Sequence, residues 1–406
     1  MAQANPGRSP QAAHRSGGCP VTVLRARIAE SLFRNAVRAL PVRVTLPGGT
    51  RWGAGGSNSP IMRIVRPEEF FRKLGADAKI GFGESYMAGD WTSGHLADVL
   101  TPFARRMATL IPKPLQVFRH IVERRQPTEE RNTVDGARNN IHRHYDLSND
   151  LFANFLDETM TYSAAWFAPG VTDLAEAQRR KIDGILDYAG VRAGSRVLEI
   201  GTGWGELAIR AARRGAHITS ITISAEQKAL ADKRIVEAGV SHLAKVELKD
   251  YRDATGAYDA IVSVEMIEAV GREYWPTYFG ALDRLLVPGG RVGLQAITMP
   301  HDRLLATSES YTWIHKYVFP GGQLLSVPAI ESHSHLPLVA RRSLGQDYAR
   351  TLRHWHQRFT ANWDTIAEFG FDAQFKRMWE FYLGYCEAGF RSGYLDVWQL
   401  GFEKAR

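Results

Sequence analysis

Val197-Leu-Glu-Ile-Gly-Thr-Gly-Trp-Gly205 is the stretch on which the reading of this chain turns. Residues 197–200 are a short apolar run holding one acid, bounded at once by glycine, which is the pattern of a buried strand. Glycines follow at 201, 203 and 205, and a helical pattern opens at Gly205. Glycine permits positive φ and lets backbone come close to a ligand. A strand, a glycine turn and a helix form the first unit of nucleotide-binding α/β sheets. The spacing here is E-x-G-x-G-x-G, not the G-x-G-x-x-G of dinucleotide folds. The next apolar run ends Ile221-Thr-Ile-Ser224, without the acid that grips an NAD ribose. Gln227 is the candidate for the ribose hydroxyls. With Glu199 inside the strand, these details point to S-adenosylmethionine rather than a nicotinamide.

Apolar runs at 196–201, 217–223, 244–248, 257–264 and 291–298 alternate with helical patterns starting at 205, 225 and 273. That alternation predicts a mainly parallel sheet with helices on both faces and its ligand at the carboxyl ends of the strands. The expected fold is therefore α/β, a Rossmann-like class I S-adenosylmethionine methyltransferase, preceded by a smaller α+β N-terminal domain. In that front part, 21–40 reads as a helix with Leu24, Ile28, Leu32 and Val37 near one face and Arg25, Arg27, Arg34 and Arg38 among them. Such a helix lies on an anionic membrane or packs into its own domain, and packing inside is the expectation. Short strands are predicted at 42–46 and 61–65 and a helix at 67–74. A glycine- and aromatic-rich segment, 81–91, follows, then a helical stretch to 122 whose surroundings carry Arg105, Arg106, Lys113, Arg119, Arg124 and Arg125. The division reads as a disordered tail over 1–20, an N-terminal lipid- or membrane-binding domain over 21–125, a linker over 126–136 and the methyltransferase domain over 137–406.

The net charge of +8 asks for an anionic partner without naming one. Two cysteines, Cys19 and Cys386, exclude a disulfide framework and a cysteine zinc site, and no metal is expected. No run is long and apolar enough to span a bilayer, and no signal-peptide pattern opens the chain. The expected location is cytoplasmic, peripheral on the inner membrane face.

Five segments resemble the cyclopropane-fatty-acyl-phospholipid synthase family: 140–152 (NIHRHYDLSNDLF), 157–163 (DETMTYS), 264–271 (VEMIEAVG), 313–322 (WIHKYVFPGG) and 390–399 (FRSGYLDVWQ). The resemblance covers 137–399, and segment 81–91 looks like the front domain of longer members. Within the family the chain looks most like the tuberculostearic acid methyltransferases. Those methylate oleoyl chains of phospholipids to 10-methylene or 10-methyl stearoyl products, with a separate flavin-dependent reductase for the second step. The resemblance implies cofactor contacts at Tyr162 and Ser163, along Leu198, Glu199, Ile200, Gly201, Thr202, Gly203, Trp204, Gly205 and Glu206, along Thr222, Ile223, Ser224, Ala225, Glu226 and Gln227, and at Tyr251 and Arg252. The expected partners are a bilayer with unsaturated acyl chains, that reductase and a second copy of the chain, with no nucleic acid.

An isolated alkene attacks a sulfonium-bound methyl and is left as a cation, which aromatic faces stabilise. Trp166, Phe167, Trp313 and Tyr317 are the candidates for this, with Tyr162, Tyr311 and Tyr348 also in range. A base must then take a proton, and its placement decides between ring and branch. The resemblance implies a bicarbonate base held by a Cys, a Glu, a His and a Tyr. Glu268 and Tyr348 match the last-named acid and phenol, but Ala164 stands at the Cys position and Gln295 at the His position. Either Gln295 donates to the anion or Glu268 is itself the base. Cys386 matches a Cys sometimes named as active in mycobacterial members. Glu265 reads as structural, three residues from Glu268 on one helix face, and His142 and His144 as headgroup ligands or helix caps.

Overall fold

The computed structural model describes residues 20–107, 127, 132–133, 136, 148–307 and 310–406. Cys19, His142, His144, Lys113, Arg119, Arg124, Arg125 and most of the tail and linker lie outside the described residues.

The front part holds a four-stranded sheet in the order β2-β1-β3-β4, from β1 (Arg43–Thr45), β2 (Arg51–Trp52), β3 (Ile61–Ile64) and β4 (Trp91–Thr92). Four helices accompany it: α1 (Pro20–Val37), α2 (Pro67–Ala76), α3 (Ala78–Met87) and α4 (Leu96–Arg105). The glycine-rich segment is helical in α3 because its glycines make room. A Cβ at Gly81 would stand 2.1 Å from the Lys73 carbonyl oxygen, and one at Gly83 would stand 2.4 Å from the Trp313 ring. Close packing outweighs the helix cost of glycine, about 1 kcal/mol each.

The face that α1 buries differs from the expected one. Ala29, Phe33 and Val37 point into the core, whereas Leu24 is 60% and Ile28 50% exposed, with Val21 and Leu32 also outward. The core-facing stripe runs through smaller and aromatic residues, so the more aliphatic stripe is left to solvent.

The large sheet has seven strands: β5 (Arg196–Ile200), β6 (His217–Thr222), β7 (Ala244–Leu248), β8 (Tyr258–Val264), β9 (Leu286–Thr298), β10 (Leu338–Ser343) and β11 (Asp396–Glu403). Their order is β10-β11-β9-β8-β5-β6-β7. β5 to β9 pair in parallel, and β11 runs antiparallel to both β9 and β10. From β5 the chain winds outward to β6 and β7, then returns to the other side of β5 as β8. Connections diverge at that switch point, and a ligand crevice opens beyond the carboxyl ends of β5 and β8. β5 is buried on both faces over Val197–Ile200, as a covered parallel strand requires.

The remaining helices are α5 (Asn149–Phe155), α6 (Leu174–Tyr188), α7 (Glu206–Arg213), α8 (Ala225–Glu237), α9 (Trp275–Leu285), α10 (His301–Thr307), α11 (Trp313–Tyr317), α12 (Val327–His333), α13 (Gly345–Ala361), α14 (Trp363–Glu368) and α15 (Ala373–Arg391). One apolar core joins the front elements to this half. Phe70, Tyr86 and Trp91 share it with Phe152, Trp355, Trp379 and Phe381. The Arg377 guanidinium on α15 ties it further, donating to the carbonyls of Tyr86 (2.6 Å) and Trp91 (3.0 Å). Among the described residues, no helix is long and apolar enough to cross a membrane.

Candidate active site

A single cavity of about 1190 Å³ lies over the carboxyl ends of β5 and β8. Drug-sized ligand pockets run to about 1,000 Å³, so this one is roomy enough for two ligands side by side. Its floor is the glycine loop and its far wall includes Arg25, Ile28 and Leu32 of α1.

The loop is built as its sequence requires. Gly201, Gly203 and Gly205 have φ of 97°, 52° and 91°, all in the left-handed region. A Cβ at Gly205 would stand 3.1 Å from that of Ala231, whereas one at Gly203 would meet no protein atom within 4 Å. Beneath the loop, Ser220 donates to Glu199 at 2.6 Å and shares a hydrogen bond with Thr202, also at 2.6 Å. Burial pushes the Glu199 carboxyl up to about 8. Ser224 caps α8 by accepting from the Gln227 backbone at 3.1 Å, and Thr222 donates to the Gln227 side-chain oxygen at 3.0 Å. That fixes Gln227 on the cavity wall, beside Thr222 and Ile223. Tyr251 and Arg252 stand in the 3₁₀ turn after β7 and also line the cavity, with Arg252 paired to Asp250 at 2.6 Å. Tyr162 and Ser163 line it from the opposite side. Tyr162 bonds the Tyr382 hydroxyl at 2.7 Å, and the buried Lys181 ammonium donates to Ser163 Oγ at 2.6 Å. Leu198, Gly205, Ser224, Ala225 and Glu226 are not part of the cavity wall; they belong to the strand, the packed helix start and the cap behind it. A nucleoside-bearing sulfonium such as S-adenosylmethionine fits this cradle, which combines a bare glycine backbone, a buried acid and an amide on one wall.

The acidic pair after β8 departs from expectation. The two glutamates share no helix face. Glu265 ends the strand in the left-handed region, with φ 49°, and Glu268 sits in a 3₁₀ turn, Ile267–Ala269. Both line the cavity. Glu265 Oε1 accepts the backbone N–H of Ala164 at 2.9 Å and the Gln295 amide at 2.8 Å, and the Tyr348 hydroxyl also bonds the Glu265 carboxylate. Gln295 is fully buried behind it and does not reach the cavity wall. Its side-chain oxygen accepts from Gln399 at 3.0 Å, which sets the amide so that nitrogen faces Glu265. Gln295 thus corrects the expectation of a cavity-facing anion ligand, because a carboxylate of the chain itself stands between it and the cavity. Glu268 accepts the Ile297 N–H on one oxygen, while its Oε2 has no hydrogen-bond partner among the described residues. Burial and the neighbouring Glu265 push its carboxyl up to about 8.

Three aromatic candidates are elsewhere. Trp166 is clasped between the guanidiniums of Arg180 (4.1 Å) and Arg342 (3.6 Å), and Phe167 stacks on His354 under Arg350. Tyr317 turns its hydroxyl to Glu84 at 2.8 Å. All three lie off the cavity wall. Trp313 lines the cavity, as do Tyr162, Tyr311 and Tyr348. Phe381, Tyr382, Tyr385 and Phe390 of α15 join them, and the sequence reading missed these four. Their clustering on both sides of Cys386 within one helical segment was the signal available. Cys386 lines the same wall, where burial pushes its thiol up to about 12 and keeps it neutral. Among the described residues no cluster could hold a metal.

Residues 132–400 match the family model described as mycolic acid cyclopropane synthetase. The chain belongs to that family. It is 53% identical over 391 residues to the tuberculostearic acid methyltransferase UfaA1 of Mycobacterium tuberculosis, covering 94% of this chain and 92% of the relative. It is 35% identical over 356 residues to the cyclopropane-fatty-acyl-phospholipid synthase of Escherichia coli, covering 86% and 89%. Among solved structures, the cyclopropane synthase MmaA2 from Mycobacterium tuberculosis superposes with a TM-score of 0.61 at 31% identity, over 66% of this chain and 98% of that one. The mycolic acid cyclopropane synthase CmaA1, complexed with S-adenosylhomocysteine and CTAB, gives 0.61 at 29%, over 69% and 99%. The family member described here is an S-adenosylmethionine-dependent methyltransferase of fatty-acyl substrates, with the class I fold.

The buried acids give this synthetase-family chain a pH signature. Glu199 and Glu268 hold their protons more tightly folded than unfolded, both near 8. The stability this confers is complete below about 4.5, the usual carboxylate range, and is lost as pH rises toward 8. Denaturant melts of the ligand-free protein between pH 5 and 8 are expected to show falling stability, with a shallower slope in Glu268→Gln. An unchanged slope in that variant contradicts the assignment.

Proposed function

We propose that the chain transfers a methyl group to the double bond of an oleoyl chain carried by a membrane phospholipid, giving a 10-methylene stearoyl lipid. The observation that carries this reading is the continuity of the cavity. One wall is the glycine loop, the middle is aromatic and aliphatic, and the far wall belongs to a helix whose outward face is itself aliphatic. The 53% identical relative bears the name of the branched product.

When bound, S-adenosylmethionine supplies an electrophilic methyl group. Gly201, Thr202, Gly203, Trp204 and Glu206 would hold it along the bare loop, with Thr222, Gln227, Tyr251 and Arg252 on the cavity wall beside them. Tyr162 and Trp313 present ring faces to the cation left on the chain, each worth roughly 1–2 kcal/mol when desolvated. Phe381, Tyr385 and Phe390 exclude water from it. The neutral Cys386 thiol serves as apolar wall. Glu265, Glu268 and Tyr348 line the cavity together and form the polar side to which the proton leaves. The front segment, 21–125, presents the lipid, and the protein works as a peripheral protein on an anionic membrane face. Saturation to the 10-methyl product needs two electrons that a separate flavin-dependent reductase supplies.

The second reading, ring closure, is favoured by the family match and by the 35% identical synthase. Incubation with methyl-labelled S-adenosylmethionine and dioleoyl phospholipid vesicles, followed by mass spectrometry of the released fatty acids, decides between them. The expected product is a methylene-branched acid, identified by ozonolysis of its exocyclic double bond. A cyclopropane acid overturns the branched reading, and unlabelled lipid overturns the substrate class.

A further inference from the structure

We propose that the carboxylate of Glu265 is the proton acceptor of the reaction, built into the chain in place of a dissociable anion. The inference rests on the lipid-methylating reading above.

Four observations carry it. First, Glu265 is one of two non-glycine residues with positive φ among the described residues, at 49°. Such a conformation costs of order 1–3 kcal/mol and persists only where the surroundings enforce it. Here they do, since the Glu265 N–H donates to the Gln295 carbonyl at 2.8 Å while its side chain takes the Gln295 amide. Secondly, three donors converge on the carboxylate: the Ala164 N–H, the Gln295 amide and the Tyr348 hydroxyl. Two of these donors come from positions where a bound bicarbonate was expected to be held, and the third, Tyr348, was its expected phenol. With all three engaged, none of these donors is left for a free anion, which also meets a like charge. A bicarbonate ion therefore does not fit this site. Thirdly, the carboxylate lines the cavity, alongside Lys181, whose ammonium favours its ionised form. Fourthly, its neighbour is differently placed. Glu268 takes one N–H, and its other oxygen has no hydrogen-bond partner among the described residues. Two carboxyls in such different settings are separated in acidity, the arrangement that assigns base and acid roles. Burial raises both, but the three donors and Lys181 pull Glu265 back toward ionisation.

The step balances within the chain and substrate. The alkene π pair forms the new carbon–carbon bond to the methyl as the methyl–sulfur bond breaks, leaving a cation on the adjacent chain carbon. Hydride migration from the methylated carbon moves the cation there. A C–H bond of the new methyl then breaks. Its proton goes to a Glu265 oxygen and its electron pair becomes the exocyclic double bond. Glu265 returns the proton to solvent when product leaves.

The test uses the full chain with dioleoyl phosphatidylglycerol vesicles in buffer sparged free of carbon dioxide. The wild type is expected to methylate at the same rate, within about twofold, with or without added bicarbonate. Glu265→Gln is expected to lose at least about 100-fold, the usual range for a general base. Glu265→Gly relieves the left-handed backbone and opens anion-sized space, so added bicarbonate or formate is expected to restore its rate about tenfold or more over its own baseline. S-adenosylhomocysteine affinity staying within about threefold in both variants shows that the cofactor cradle is intact. In the ligand-free protein, the infrared difference between wild type and Glu265→Gln is expected to show loss of an ionised carboxylate band. A wild type that stalls without bicarbonate, a Glu265→Gln variant keeping more than about a third of its rate, or loss of a protonated carboxyl band overturns the proposal. A wild type that labels no lipid overturns the substrate reading instead, and the infrared result still decides the state of Glu265.

Discussion

Gly203→Val is expected to weaken S-adenosylhomocysteine binding by at least about 100-fold while leaving the protein folded. Gly203 has φ 52° and lines the cavity, and a Cβ there meets no protein atom within 4 Å. A side chain at this point therefore collides with ligand rather than with protein. A hundredfold loss corresponds to about 2.8 kcal/mol, which is modest for a branched side chain thrust into ligand space. The left-handed backbone adds its own cost, since β-branched residues avoid positive φ. Gly170→Val separates the two effects. Gly170 has φ 82° with equally open surroundings, but it sits in an exposed turn away from the cavity. It is expected to lower the melting temperature and leave binding alone. Calorimetric titration of both variants checks this, and Gly203→Val binding within threefold of wild type contradicts the placement of the cofactor.

Replacing Leu24, Ile28 and Leu32 together by Asp is expected to reduce binding to anionic vesicles by two to four orders of magnitude. All three are exposed on α1, so folding loses little. Each aliphatic side chain gains about 1.5–3 kcal/mol when buried in an apolar phase, so three contacts used at about two thirds of that already reach a hundredfold. Arg25 and Arg27 on the same helix add an electrostatic part of about 1 kcal/mol each near an anionic surface. Wild-type binding is accordingly expected to weaken as salt screens that part. Co-sedimentation with phosphatidylglycerol vesicles measures both effects. Unchanged binding in the triple variant shows that the membrane is met elsewhere.

The sheet and the cofactor loop were open to reading from sequence because their signals are local. A strand, three spaced glycines and a capped helix need no distant partner to be recognised, and Ser224, the α8 cap, stands directly in the pattern. The polar cluster after β8 was less legible. Glu265 was placed on a helix with Glu268 because three-residue spacing suggests one, whereas β8 runs to Val264 and the chain then turns left-handed. The available clue was positional, since an acid immediately after the carboxyl end of a sheet strand stands in the ligand crevice. Gln295 was assigned to the cavity because nothing in its own neighbourhood shows that another side chain would come in front of it. Trp166, Phe167 and Tyr317 failed for a similar reason. Composition locates an aromatic cluster, but which ring points inward depends on Arg180, Arg342, Arg350 and Glu84, which are remote in sequence or on other elements.

The core shared between the front elements and α15 has a consequence for how the molecule comes apart. Phe381 packs on Tyr86 and Trp313 with ring centroids 5.6 Å and 4.7 Å apart, and Arg391 pairs with Asp98 of α4 at 2.6 Å. The front elements have no described core apart from this shared one, whereas the large sheet keeps two apolar clusters of its own. A destabilising change in α4 should therefore loosen α15 and the cavity wall it carries while the sheet interior holds. Damage anywhere along that seam would be felt as lost cofactor retention before any fragment separates.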